Sequence, residues 1–154
     1  MATADILLGN NRTMCFPGQS RGSYVLLMML SEKRIINVGS LSDIRFSPGF
    51  YAYVGSAMGG IAARLGYHLK RDKKRHWHID YLLEEATIVD VSICENNVRT
   101  ECYIARLLSS QFDSIPGFGS SDCRCQSHLF FHIDEGRMRD GIRAALSLLL
   151  VLPA

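Results

Sequence analysis

The chain has 154 residues, 47% of them hydrophobic and 21% charged, with seven Phe, six Tyr and one Trp. That length and apolar content suffice for one domain with a real core and exclude a disordered chain. The formal charge of +2 does not by itself announce a nucleic-acid binder, and five cysteines, an odd count with no basic-then-apolar leader, exclude a disulfide scaffold and give a reducing, cytoplasmic setting as the expectation.

Residues 1–21 lack periodicity and carry Asn, Gly, Pro and Ser, so they read as a loosely packed arm ahead of a single domain over 22–154. From Ser23 to Leu30, Tyr24, Leu26, Met28 and Leu30 fall on one face and Val25, Leu27 and Met29 on the other. This predicts a central strand covered on both sides. Ser31-Glu32-Lys33 turns into Arg34–Val38, a predicted hairpin partner, and a strand over 50–54 is predicted to pair on the open side, placing Tyr24 near Tyr53. After a permissive loop over Gly55–Gly60, a helix is expected from Ile61 to about Arg71. It buries Ile61, Leu65 and Leu69 and carries Arg64, His68, Arg71 and Arg75 on a neighbouring stripe. Gly66 costs such a helix about 1 kcal/mol relative to Ala, which suggests close packing there.

A second helix begins near Trp77, with Ile79, Leu82, Leu83 and Ala86 inward and Asp80, Glu84 and Glu85 outward. Ile88–Cys94 alternates and is rich in β-branched residues, as strands are. Thr100 is expected to cap a third helix to about Gln111; 115–125 is a loop, His128–Ile133 a strand, and Met138–Leu150 a closing amphipathic helix whose apolar end, Leu146–Leu152, is expected in the core, with self-association as the alternative. The apolar run Leu148–Leu152 is far short of the roughly 20 residues that span a bilayer, so no membrane partner is expected. The class is α+β: a small, mostly antiparallel sheet with a central apolar strand, flanked by helices, with added C-terminal strands and helix.

Charge is distributed unevenly. Arg64, Lys70, Arg71, Lys73, Lys74 and Arg75 crowd one segment, relieved by Asp72, and Asp80, Glu84, Glu85, Asp90, Glu95 and Glu101 follow. The separation predicts a local cationic surface that attracts phosphate, with Lys70, Arg71, Lys74, Arg75 and His76 as nucleic-acid-binding candidates; the alternative is a solvated helix face.

Gly22-Ser23-Tyr24 opens one strand, Tyr53-Val54-Gly55 closes another, and Arg64 follows nine residues later. This order resembles the GIY-YIG nuclease superfamily, with GSY for the first motif and YVG for the second. The resemblance implies a phosphodiester-cleaving site in which Tyr24 is the general base, Tyr53 positions water or phosphate, Arg64 stabilises the phosphate, and His68 takes a polar position one turn on. It implies one Mg2+ or Mn2+ held by a glutamate on a later helix, best matched by Glu101. Cleavage needs an activated water, positive charge on the phosphate and help for the leaving oxygen, and these residue types supply them. Each alone has a plainer explanation: a core tyrosine, a helix-surface cation, a first-turn acid.

The strings His76-Trp77-His78-Ile79-Asp80-Tyr81-Leu82-Leu83, Glu101-Cys102 and Gly117–Leu129, with its Ser121-Asp122-Cys123-Arg124-Cys125-Gln126-Ser127-His128-Leu129, narrow the likeness. Over residues 20–135 the chain resembles the DUF123 group, Uri-type or GIY-YIG-like endonuclease domains, some members of which are fused to a base-excision glycosylase. DNA is the implied substrate, repair intermediates included, with base-excision repair proteins as partners. Two other functions stay open: a non-catalytic nucleic-acid-binding module of the same fold, and a zinc-stabilised interaction domain.

Cys123, Cys125 and His128 carry the last of these. Structural zinc wants four ligands, usually with CxxC spacing, whereas here the spacing is CxC with one histidine. Cys102 or Asp122 completes a set if the fold brings it near; otherwise the pair is two buried thiols beneath a loop. His76 and His78 flank Trp77; one of them, with His76 as the candidate, is expected to face the phosphate groove beside Lys74 and Arg75, the alternative being a capping or packing role.

Overall fold

The structure, a computed structural model, describes residues 20–70 and 72–149, with the backbone of two strands ahead of them. Those two, β1 (Thr3–Leu7) and β2 (Thr13–Pro17), form an antiparallel pair. The expected loose arm is thus in part a hairpin; backbone pairing needs no apolar period, which is why composition did not reveal it. The rest of the expected arm ahead of Ser20, Arg71 and residues 150–154 lie outside the described residues.

The apolar run forms β3 (Gly22–Leu30), and buried residues fill all but one of its positions, Met29 being exposed. It is followed by β4 (Arg34–Asn37), β5 (Asp43–Phe46) and β6 (Gly49–Ala57). Contrary to the expected hairpin, β4 pairs with β5 in a separate two-stranded ribbon, and β6 is the neighbour of β3. β4 is mostly exposed, with Ile36 alone packed against the core, so it has little apolar surface to give to the sheet. The remaining elements are α1 (Ile61–Leu69), α2 (His78–Leu83), β7 (Thr87–Glu95), α3 (Glu101–Ser109), β8 (Asp113–Ser114), β9 (Leu129–His132) and α4 (Glu135–Leu149). The main sheet runs β7-β3-β6-β9-β8 and every pairing in it is antiparallel.

Side chains alternate across β3, so its two faces feed two cores. Tyr24, Leu26, Met28 and Leu30 pack with Ile61 and Leu65 of α1, Ile79 and Leu82 of α2, and Phe46 of the ribbon. Val25 and Leu27 pack with Ala52 and Val54 of β6, Ile104 and Leu108 of α3, and Met138 and Ile142 of α4. Each fully buried large apolar side chain contributes about 1.5–3 kcal/mol of transfer free energy, enough to fix the register of β3 on both faces. Of the segment expected in the core, Leu146 and Leu149 join the second core, whereas Leu148 is exposed. Local expectations fail at Gly66 and Asp80. A Cβ on Gly66 would meet nothing within 4 Å, so that glycine serves no close packing. Asp80, expected outward, is fully buried. Among the described residues no helix is long and apolar enough to cross a membrane.

Candidate functional site

The two tyrosine motifs meet through strand register. Tyr24 of β3 lies opposite Gly55 of β6, and a Cβ at residue 55 would come within 2.3 Å of the Tyr24 hydroxyl. Gly55 is therefore needed for space, and the Tyr24 ring fills that space, 6.4 Å from the Tyr53 ring between centroids. Tyr24 is fully buried, and its oxygen lies 2.6 Å from Nε2 of His68 on α1. Burial, then the neighbouring Tyr53, raises the Tyr24 pKa well above its ordinary 10, while the Arg64 guanidinium opposes that rise. Tyr24 is thus a phenol at neutral pH.

His68 is buried too, where the stripe reading put it at the solvent border. Burial, helped by the charge of Lys73, takes its pKa down to about 3 against the opposing pull of Asp80. The ring is neutral and keeps one proton. Its Nδ1 faces Oδ1 of Asp80 at 3.9 Å, too far for a good hydrogen bond but close enough to favour the proton on that nitrogen. Assigned this way, Nε2 accepts from the Tyr24 hydroxyl.

Asp80 explains why a charged residue of α2 points inward. Its Oδ2 accepts from the backbone N–H groups of His76 and Trp77, at 2.7 and 2.9 Å, satisfying donors that a helix start leaves unpaired. Its Oδ1 lies 3.3 Å from Nζ of Lys73. The same Nζ donates to the carbonyls of Tyr67 and His68 at the end of α1. Lys73, one of the residues counted in the cationic segment, is thereby turned inward and ties the end of α1 to the start of α2.

Above this buried chain lies a cleft of about 490 Å³ lined by Tyr53, Arg64, His76, His78, Glu101, Asp122 and His128, among others. Arg64 stacks on Trp77, its guanidinium carbon 4.2 Å from the ring centroid. Glu101 opens α3; its side chain is mostly buried, Oε1 lies 4.0 Å from Arg99, and Oε2 is buried without a hydrogen-bond partner. Such an oxygen is the kind of donor a cation satisfies. The structure therefore gathers Tyr53, Arg64, Glu101 and His76 at one opening, with Tyr24 and His68 beneath. Lys70 and Lys74 are exposed, whereas Arg75 is engaged by Glu84 through two hydrogen bonds, at 2.7 and 3.1 Å. Thr100 precedes α3 without capping it through its side chain; its hydroxyl lies 2.8 Å from that of Ser23 in β3.

A second cluster borders the cleft. Cys102, Cys123, Cys125 and His128 bring their ligand atoms within 4.8 Å of one another, so a Cys3His set able to hold a metal ion is assembled. Of the two candidates for the fourth ligand, Cys102 and Asp122, the fold brings in Cys102 from α3. Two residues were not assigned from sequence. Asp80 is one, although its place three residues into α2 is that of a capping acid. His78 is the other: its Nδ1 accepts from the backbone N–H of Gly119 at 2.9 Å, fastening α2 to the loop that carries Cys123 and Cys125.

A family model described as "Domain of unknown function DUF123" matches residues 23–150. No curated protein and no solved structure matches the chain.

Proposed function

The chain belongs to the DUF123 family, and we propose that it is a metal-dependent endonuclease that hydrolyses phosphodiester bonds in DNA through a GIY-YIG-like site. The observation that carries this reading is the convergence of Tyr53, Arg64 and Glu101, from three different elements, on one polar cleft above the Tyr24–His68 hydrogen bond. Arg64 leaves Trp77 to take the scissile phosphate, which also uncovers the Tyr24 hydroxyl. Tyr53 positions the attacking water. Glu101, whose buried Oε2 has no hydrogen-bond partner, would hold one Mg2+ or Mn2+, which would supply positive charge for the phosphate and the leaving oxygen.

The proton path follows from the neutral state of His68. As water attacks phosphorus, its proton passes to the Tyr24 oxygen while the proton of Tyr24 passes to Nε2 of His68. Tyr24 is a phenol before and after; the charge gained appears on His68, so the step requires the His68 pKa to rise from about 3, a change that the facing Asp80 carboxylate favours and burial and Lys73 oppose. Exposed Lys70 and Lys74, with His76 at the cleft, track the backbone of the DNA, while Arg75 has to leave Glu84 to do so. Repair intermediates are the proposed substrates, with repair enzymes as partners. A reducing cytoplasm suits the free thiols at Cys94, Cys102, Cys123 and Cys125.

The complete burial of Tyr24 favours a second reading, a DNA-binding module without catalysis. Nicking of plasmid and branched DNA with Mg2+ or Mn2+, by wild type, Tyr24→Phe and Arg64→Ala, separates the two. Cleavage lost in both variants while folding and DNA retention persist supports the nuclease. Salt-sensitive retention with no cleavage by wild type supports the module, and equal cleavage by all three refutes the assigned site.

A further inference from the structure

We propose that Cys102, Cys123, Cys125 and His128 bind one zinc ion as a closed structural site. The four come from the first turn of α3, the loop before β9 and the residue preceding β9, so the site joins segments that few other side-chain bonds connect. Zinc–sulfur bonds of about 2.3 Å and zinc–nitrogen bonds of about 2.0–2.1 Å give a tetrahedron with edges of about 3.5–3.8 Å. The Sγ atoms of Cys123 and Cys102 lie 3.5 and 3.8 Å from Nε2 of His128. Since all four ligand atoms lie within 4.8 Å, the widest pair has at most about 1 Å to close.

The surroundings suit a metal as well as the distances do. Nδ1 of His128 lies 3.1 Å from the carbonyl oxygen of Val54. Donating there fixes the proton on Nδ1 and leaves the Nε2 lone pair facing the three sulfurs, the usual outer partnership of a metal-bound histidine. Three thiolates on a divalent ion leave one net negative charge, and Arg106 and Arg124 line the outer side of the cluster beside Cys102 and Cys125. Three sulfurs and one imidazole in tetrahedral array select zinc over Mg2+ or Mn2+, which prefer oxygen. Four protein ligands leave no open position, so the ion has a structural role rather than a chemical one.

That role is to hold one wall of the cleft. Glu101 immediately precedes Cys102, and Asp122 immediately precedes Cys123; both acids line the cleft. Two ligand positions therefore fix the spacing of two carboxylates that belong to different segments. The inference does not rest on the nuclease reading, because its test requires no cleavage.

The test is metal analysis of wild-type protein purified without added zinc, followed by cobalt titration of the metal-free chain. About one zinc per chain, and a cobalt spectrum with thiolate charge-transfer absorption and intense tetrahedral bands, are expected. Cys123→Ser and Cys102→Ser should each lose the stoichiometric metal, while Cys94→Ser, outside the cluster, should keep it. Absence of zinc together with weak six-coordinate cobalt bands in the folded wild type overturns the proposal. So does iron in place of zinc, or equal zinc in wild type and both cluster variants. If the cluster variants do not fold, the wild-type metal content and cobalt spectrum decide the matter by themselves.

Discussion

Lys73→Met is the sharpest test of the buried polar chain. The Lys73 side chain is 8% exposed and that of Asp80 fully buried, with Nζ 3.3 Å from Oδ1. Removing the lysine leaves a carboxylate inside the fold with two backbone donors on Oδ2 and no countercharge. Breaking one partner of such a pair costs about 3–5 kcal/mol. Because the carbonyls of Tyr67 and His68 also lose a donor, we expect about 3 kcal/mol or more near pH 8, a fall of roughly 6–12 °C in the unfolding midpoint for a chain of this size.

The deficit should shrink in acid. Lys73 is the second cause of the depressed His68 pKa, after burial, and Asp80 pulls the other way. Without Lys73 the His68 pKa rises, so its imidazolium can take over as the partner of Asp80, and that stabilisation is present in acid and lost as pH rises. In wild type the sign is opposite. The folded value of about 3 lies below the ordinary 6.5, so the associated stability is complete above about 6.5 and lost as pH falls toward about 3. The two curves therefore converge on acidification. Urea unfolding at pH 8 and pH 5, followed by fluorescence of Trp77, the one tryptophan, measures both. A deficit below about 1 kcal/mol at pH 8, or one unchanged at pH 5, refutes the ion-pair account.

Gly55→Ala should cost about 1–3 kcal/mol by overpacking against the Tyr24 ring, read in the same denaturation assay. It should also break the Tyr24–His68 hydrogen bond, seen as an altered His68 ring resonance by NMR; a neutral substitution contradicts the steric account. Lys70→Ala with Lys74→Ala should flatten the dependence of log K for duplex DNA on log salt by about 0.9 per lost phosphate contact. An unchanged slope in binding titrations removes those two lysines from the interface.

Sequence patterning revealed most where burial was one-dimensional. The two-sided run of β3, the pairing of β6 with it, the burial of Ile61 and Leu65 on α1 and the strand at β7 follow from sequence patterning, and the structure contains each. Patterning failed where a polar residue does tertiary work. Asp80 and Lys73 read as surface charge because their partner groups come from another helix end, and no local period encodes that meeting. Cys102 joined Cys123, Cys125 and His128 only when α3 packed beside the loop. The β4–β5 ribbon was misassigned because Ser31-Glu32-Lys33 carries a turn signal, while the choice of strand partner depends on which face has apolar surface to bury.

The pairing of Tyr24 with Gly55 has a consequence for how this chain can drift. The two motifs look like separate signatures, yet they occupy one volume: the ring on β3 exists in the space that β6 leaves vacant. Any side chain gained at residue 55 evicts the ring, and loss of the ring leaves a hole that a larger residue 55 would be favoured to fill. Substitutions at the two positions are therefore contingent on each other, and descendants of this chain should retain both or have exchanged both.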